Sequence, residues 1–116
     1  MTVGELKNLL KAEMLTDGGA ERNVKCGFAC DVLSVAMAKG HKDMAWITVQ
    51  ANMNALAVAV MRSAACLVFP DGMRPEESVI QKAQGEGVAL LSAKGNAFEL
   101  AGRMYAAGLR GDEMHE

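Results

Sequence analysis

Three cysteines, two histidines and one short polar turn are the parts of this 116-residue chain whose residue types could do chemistry. Cys26 and Cys30 fall at even spacing on one face of an extended stretch, and Cys66 sits in a separate apolar run. Zinc sites complete a cysteine pair with a second pair or with histidines about one helical turn apart, and neither histidine here has metal-ligand spacing to another ligand. The cysteines therefore read as buried structural thiols, and no metal or cofactor is expected. A nucleophile needs a base within reach, yet His41 lies in a polar loop and His115 in a polar tail, where both read as solvated. Paired carboxylates occur as Glu76-Glu77 and Asp112-Glu113, both in surface-type sequence, so the chain is not read as an enzyme.

The polar turn is the richer case. In Thr48-Val49-Gln50-Ala51-Asn52-Met53-Asn54, uncharged hydrogen-bonding side chains interrupt an otherwise hydrophobic run. Thr48 and Gln50 alternate and so share a face of a strand end, while Asn52 is placed to cap the helix that follows. Capping and loop hydrogen bonding account for the pattern, and a bound small polar ligand or a partner's backbone is the competing reading. Asp71-Gly72-Met73-Arg74 lacks the spaced glycines of a phosphate loop, and Asp71 would repel an anion. It reads as a type I or II turn between a strand and a helix.

These residues must be held by the elements around them. Trp46 to Pro70 reads as strand, polar turn, apolar helix and strand, a complete βαβ unit. Before it, Thr2 and Glu5 form a capping-box pattern ahead of Val3, Leu6, Leu9 and Leu10 at helical spacing. Glu13-Met14-Leu15 suggests a short edge strand, and Val24 to Cys30 a longer strand in which Gly27 marks a close approach. Asp31 is placed to cap a helix over Val32 to Ala38 that Gly40 closes, and His41 to Ala45 reads as a loop. The helix from Asn52 or Met53 to Ser63 is apolar all round, which predicts burial on more than one side, by the sheet and by the last helix or a second subunit.

After the strand Cys66 to Phe69, Pro75 suits the first turn of a helix with Val79, Ile80 and Ala83 facing inward, ended by Gly85 and Gly87. Val88 to Ser92 reads as a buried strand, and Asn96 as the cap of a helix carrying Phe98, Leu100, Ala101, Met104 and Tyr105. Alternating strands and helices predict an α/β domain with a parallel-rich sheet, in one unit over residues 1–109, with a polar, frayed tail over residues 110–116. Ligands of such sheets sit outside the carboxyl ends of the strands. That rule selects Gln50 to Asn54, Pro70 to Arg74 and Ser92 to Asn96.

Composition removes several classes of function. A net charge of −2, with no basic run longer than Lys39-Gly40-His41-Lys42, excludes the concentrated cationic footprint that nucleic-acid binding needs. The longest apolar run, Ala55 to Met61, is too short to span a membrane, and the start of the chain lacks a signal-peptide layout. A cytoplasmic protein with reduced thiols is expected.

The order of elements from Val24 to Leu109 resembles the DRTGG domain, a family named for an Asp-Arg pair after one strand and a Thr-Gly-Gly turn after the next. It is found in phosphotransacetylases, beside CBS domains and as stand-alone proteins. This chain has Asn52-Met53 where the Asp-Arg pair would stand and Phe69-Pro70-Asp71-Gly72 where Thr-Gly-Gly would follow, while Asn96-Ala97-Phe98-Glu99 matches the opening of the family's last helix. It looks like the stand-alone branch in which Ile47-Thr48-Val49-Gln50 precedes the buried helix. The resemblance implies a non-catalytic regulatory or accessory module that dimerises and serves a metabolic or redox enzyme, of hydrogenase or NADH dehydrogenase type. The alternative is a nucleotide or metabolite sensor with a site among Thr48, Gln50, Asn52, Asn54, Asp71, Gly72 and Asn96. With the family's charged pair replaced, a neutral or backbone-like ligand is expected there, and a phosphate held by arginine is not.

Overall fold

A computed structural model describes residues 1–112. Five strands form one sheet in the order β1-β5-β4-β3-β2, where β1 is Glu13–Met14, β2 Cys26–Ala29, β3 Met44–Ile47, β4 Cys66–Phe69 and β5 Ala89–Ser92. β2 to β5 are parallel, and β1 closes one edge antiparallel to β5. The chain is thus the α/β, parallel-rich domain expected from the alternation of elements.

Strand order follows chain order from β2 to β5, so the three crossover helices, which share one handedness, lie on one face. These are α2 (Leu33–Lys39), α3 (Met53–Met61) and α4 (Glu77–Glu86). They bury Ala36, Leu56, Ala59, Val79 and Ile80 against Met44, Trp46, Leu67, Phe69 and Leu90. On the other face α1 (Val3–Leu10) and α5 (Ala97–Ala106) bury Leu6, Leu10, Leu100 and Met104 against Ala45, Ile47, Cys66, Val68 and Leu91. Side chains alternate between these two cores along every central strand, which is why the strands read as continuous apolar runs.

The capping box forms as expected, with the Thr2 amide donating to Glu5 Oε1 at 2.8 Å and the Glu5 amide to Thr2 Oγ1 at 3.1 Å. Several boundaries move for identifiable reasons. β2 begins at Cys26 because the Val24 amide is taken by the Met1 carbonyl and the Lys25 amide by the Asp43 carbonyl. Met44 and Ala45, expected in a loop, belong to β3, where they pair with Cys26 and Gly27. Pro75 lies just ahead of the Glu76 cap, outside α4, and Gly85 sits inside that helix, which Gly87 ends with φ +73°. Gly40 is required by space and not by dihedral: a Cβ there would stand 2.6 Å from the Ala36 carbonyl oxygen and 2.9 Å from Met44 Cε.

Burial answers one open expectation and corrects another. α3 buries Ala55, Leu56 and Ala59, while Met53 and Met61 on its outer side are exposed, Met61 by 68%, and the last helix does not cover them because α5 packs on the opposite face of the sheet. Phe98 is 85% exposed at the start of α5. Cys30 is half-buried, because it lies just past the edge strand, and its Sγ donates to the Val32 carbonyl. Cys26 and Cys66 are buried as expected. Burial pushes the Cys66 thiol up to about 12, so it stays protonated at neutral pH and is inert as a nucleophile.

Arg110, expected to start a frayed tail, is held in place. Its carbonyl accepts from the Gly27 amide at 2.8 Å, and its guanidinium stacks 4.0 Å from the Tyr105 ring centre. Residues 113–116 of that tail, including Glu113 and His115, lie outside the described residues.

Candidate functional site

The side chain that organises the carboxyl end of the sheet is Asp31, and it is not a helix cap. α2 begins at Leu33 with Val32 as an N-cap that makes no side-chain bond. Asp31 instead turns toward the next strand. Its Oδ1 accepts from the Thr48 hydroxyl and from the Val49 amide, both at 3.0 Å. The Thr48 hydroxyl in turn accepts from the Gln50 amide at 3.1 Å, and Gln50 Nε2 donates to the Asp31 carbonyl at 3.1 Å. Gln50 Oε1 accepts from Asn52 Nδ2 at 2.9 Å, and Asn52 Oδ1 caps α3 through the Ala55 amide at 2.9 Å. One chain of hydrogen bonds thus runs from the end of β2, over the end of β3, into the start of α3.

This network places the expected site residues individually. Thr48 is buried, and it lines a cleft of about 150 Å3 together with Asp31, Val49, Pro70 and Ala97. Gln50 and Asn52 are spent on the network itself. Asn54 is exposed in the first turn of α3 and makes no side-chain hydrogen bond among the described residues. Asp71 and Gly72 stand on a neighbouring tip, where their amides donate to the Gly95 and Ala93 carbonyls at 2.9 and 2.8 Å. Both have positive φ, +58° and +69°, and the Met73 amide bonds the Pro70 carbonyl at 3.0 Å. That is the mirror-image, type I′ pattern, and not the type I or II turn expected from the residues. Asn96 caps α5 through the Glu99 amide at 2.9 Å. The three selected loops do meet at one end of the sheet, but of the seven residues only Thr48 lines the cleft.

Asp31 was the residue that sequence reasoning misplaced. The strand-end rule that selects the loops after β3, β4 and β5 holds for β2 as well, where it selects the Cys30 to Val32 loop. The second Asp31 oxygen has no partner among the described residues, and no cation pairs with that carboxylate. An acceptor of this kind, beside a buried hydroxyl, suits a ligand that donates hydrogen bonds.

The cleft continues away from the strand tips. A second cleft of about 160 Å3, lined by Gly27, Ala29, Ile47, Met104, Tyr105 and Leu109 among others, shares Ala29 and Ile47 with the first. It exists because β2 offers only Gly27 and Ala29 on the face toward α5. A Cβ at Gly27 would already stand 3.2 Å from Met104 Cε. The combined groove has a polar head at Asp31 and Thr48 and an apolar body beneath α5. Among the described residues, no group of three or more His, Cys, Asp or Glu side chains could hold a metal ion. No helix among them is long and apolar enough to cross a membrane.

The family model of the DRTGG domain matches residues 5–107. No curated protein matches the sequence. Among solved structures, the chain is similar to the crystal structure of the CBS and DRTGG domains of the regulatory region of Clostridium perfringens pyrophosphatase complexed with its activator, diadenosine tetraphosphate. The TM-score is 0.74 at 13% identity, with 89% of this chain and 45% of that one covered, so the chain spans about half of that structure and shares its fold.

Proposed function

The chain belongs to the DRTGG domain family, and from that premise we propose that it is a non-catalytic regulatory module that acts as a homodimer. The observation that supports this most directly is the uncovered side of α3. Met53, Leu56, Val60 and Met61 line an apolar groove of about 250 Å3 against α4, whose Lys82 and Glu86 stand at its rim. A contiguous exposed apolar patch on a helix marks a surface suited to contact with another protein. Lys82 Nζ lies 3.3 Å from Glu86 Oε1 within one chain. The rim thus carries one charge of each sign, the composition from which a two-fold axis across the groove can pair opposite charges. By the resemblance to the stand-alone branch, the module serves a metabolic or redox enzyme of hydrogenase or NADH dehydrogenase type in the cytoplasm.

The test is light scattering at micromolar concentration. The wild type is expected at twice the 12.3 kDa chain mass. Met61→Lys, at an exposed position that costs the single chain little, is expected at the chain mass with an unchanged circular dichroism spectrum. A wild type that is monomeric at this concentration overturns the reading.

A second reading has its own support in the groove below Asp31. There the module would sense a small molecule that donates hydrogen bonds to Asp31 and lays an apolar portion over Ile47. The structural neighbour, a regulatory region complexed with a nucleotide activator, is consistent with such a role. A ligand that binds only the folded state raises its melting temperature. Adenosine or another uncharged nucleoside is expected to do so for the wild type but not for Asp31→Asn, which keeps an oxygen for Thr48 and Val49 but replaces the free acceptor. No shift with any nucleoside counts against this reading.

A further inference from the structure

Six of the twelve lysines and arginines are engaged: Arg22, Lys25, Arg74 and Lys82 in ion pairs, and Arg62 and Arg110 on backbone carbonyls. The other six make no ion pair or side-chain hydrogen bond among the described residues. Three of those six, Lys11, Lys94 and Arg103, come from different elements to line one cavity of about 370 Å3. Lys11 follows α1, Lys94 lies in the loop after β5, and Arg103 is on α5. Leu10 and Leu100 form part of its lining, and Glu99 supplies the single carboxylate.

Two features of the backbone shape this cavity. Lys11 closes α1 in the left-handed region, φ +53°, where a side chain is tolerated only at a cost that glycine avoids. Gly95 has no side chain where a Cβ would stand 3.2 Å from Leu100 Cδ2, which leaves the space beside Leu100 open. The chain as a whole is negative, yet around this cavity three positive charges stand against one negative. Like charges gathered without partners repel one another, and an anion between them relieves that repulsion.

We propose that this cavity binds an organic polyphosphate, with its phosphates between Lys11, Lys94 and Arg103 and its apolar portion against Leu10 and Leu100. The site shares no lining residue with the groove below Asp31, and it does not depend on what binds there. Contacts of this kind are charge-dominated and weaken with salt, while the apolar floor discriminates an organic from an inorganic phosphate.

The experiment is calorimetric titration of the full chain with ATP and with tripolyphosphate, at low and at physiological salt. Both are expected to bind at low salt, ATP at least threefold more tightly, with both weakened at physiological salt. The combined variant Lys11→Gln, Lys94→Gln, Arg103→Gln changes only exposed side chains and is expected to weaken ATP at least thirtyfold. Four results would each overturn the proposal: no binding of either compound at millimolar concentration; equal affinity for ATP and tripolyphosphate; unchanged ATP affinity in the triple variant; or ATP binding that survives in the triple variant and falls in Asp31→Asn, which would place the anion at the strand ends instead.

Discussion

Trp46→Ala is expected to lose about 3–5 kcal/mol of stability, enough to leave a domain of ordinary stability, about 5–15 kcal/mol in total, marginal or unfolded. Trp46 is the largest fully buried side chain, and it sits in β3 between Phe28 on β2 and Leu67 on β4. It packs in the core that α2, α3 and α4 cover. Its Nε1 also donates to the Cys30 carbonyl at 2.8 Å, which ties the end of β2 to the middle of β3.

Trp46→Phe separates the two contributions. It keeps most of the ring and removes the donor, so the Cys30 carbonyl loses its partner at a cost of about 1–3 kcal/mol. Because Cys30 immediately precedes Asp31, this variant is also expected to loosen the Asp31 network, with faster hydrogen exchange at the Val49 and Gln50 amides. Urea denaturation followed by far-ultraviolet circular dichroism measures both variants. A Trp46→Phe chain within about 0.5 kcal/mol of wild type would remove the hydrogen bond from the account.

The second large effect is expected at the opposite end of the sheet. Asp43 has φ +61° and joins three segments there. Its carboxylate lies 3.1 Å from Arg22 Nη2 and 3.7 Å from Lys25 Nζ, its amide donates to the Ser63 carbonyl, and its own carbonyl accepts from Lys25. Arg22 Nη2 reaches the same Ser63 carbonyl at 2.6 Å. Asp43→Ala loses the carboxylate and puts alanine in the left-handed region, for a combined cost of about 2–4 kcal/mol. Asp43→Asn tolerates that dihedral and loses only charge, and Asp43→Gly relieves the dihedral but loses every side-chain contact. The expected order of stability is wild type, Asn, Gly, Ala, read from urea midpoints by Trp46 fluorescence. Equal stability of the Gly and Ala variants would show that the backbone conformation carries no part of the cost.

What the sequence made legible follows from locality. The capping box at Thr2 and Glu5, the caps at Asn52 and Asn96, and the two-faced strands each depend on residues within a turn or two of one another. What it hid depends on partners far along the chain. β2 could not be trimmed to Cys26 without knowing that Met1 and Asp43 take the Val24 and Lys25 amides. Asp31 looked like a cap because its partners, Thr48 and Val49, lie 17 and 18 positions away. The polar turn reads from its residues alone as a place where side chains hydrogen-bond, and in the fold Gln50 and Asn52 bond mainly to their own neighbourhood. The cationic cavity was hidden for the same reason, since Lys11 and Lys94 carry no shared pattern until the fold brings α1 beside α5.

The arrangement of the sheet also sets an order of events during synthesis. From β3 onward each parallel strand emerges beside a neighbour that is already made, and each crossover helix can close over the pair just formed. Of the elements of this domain, α1 and β1 come earliest in the chain, yet they pair with β5 and α5, which come latest. Within this domain, full cover of Leu6 and Leu10 therefore has to wait until α5 has emerged, and the docking of α1 against α5 is the step that seals the second core.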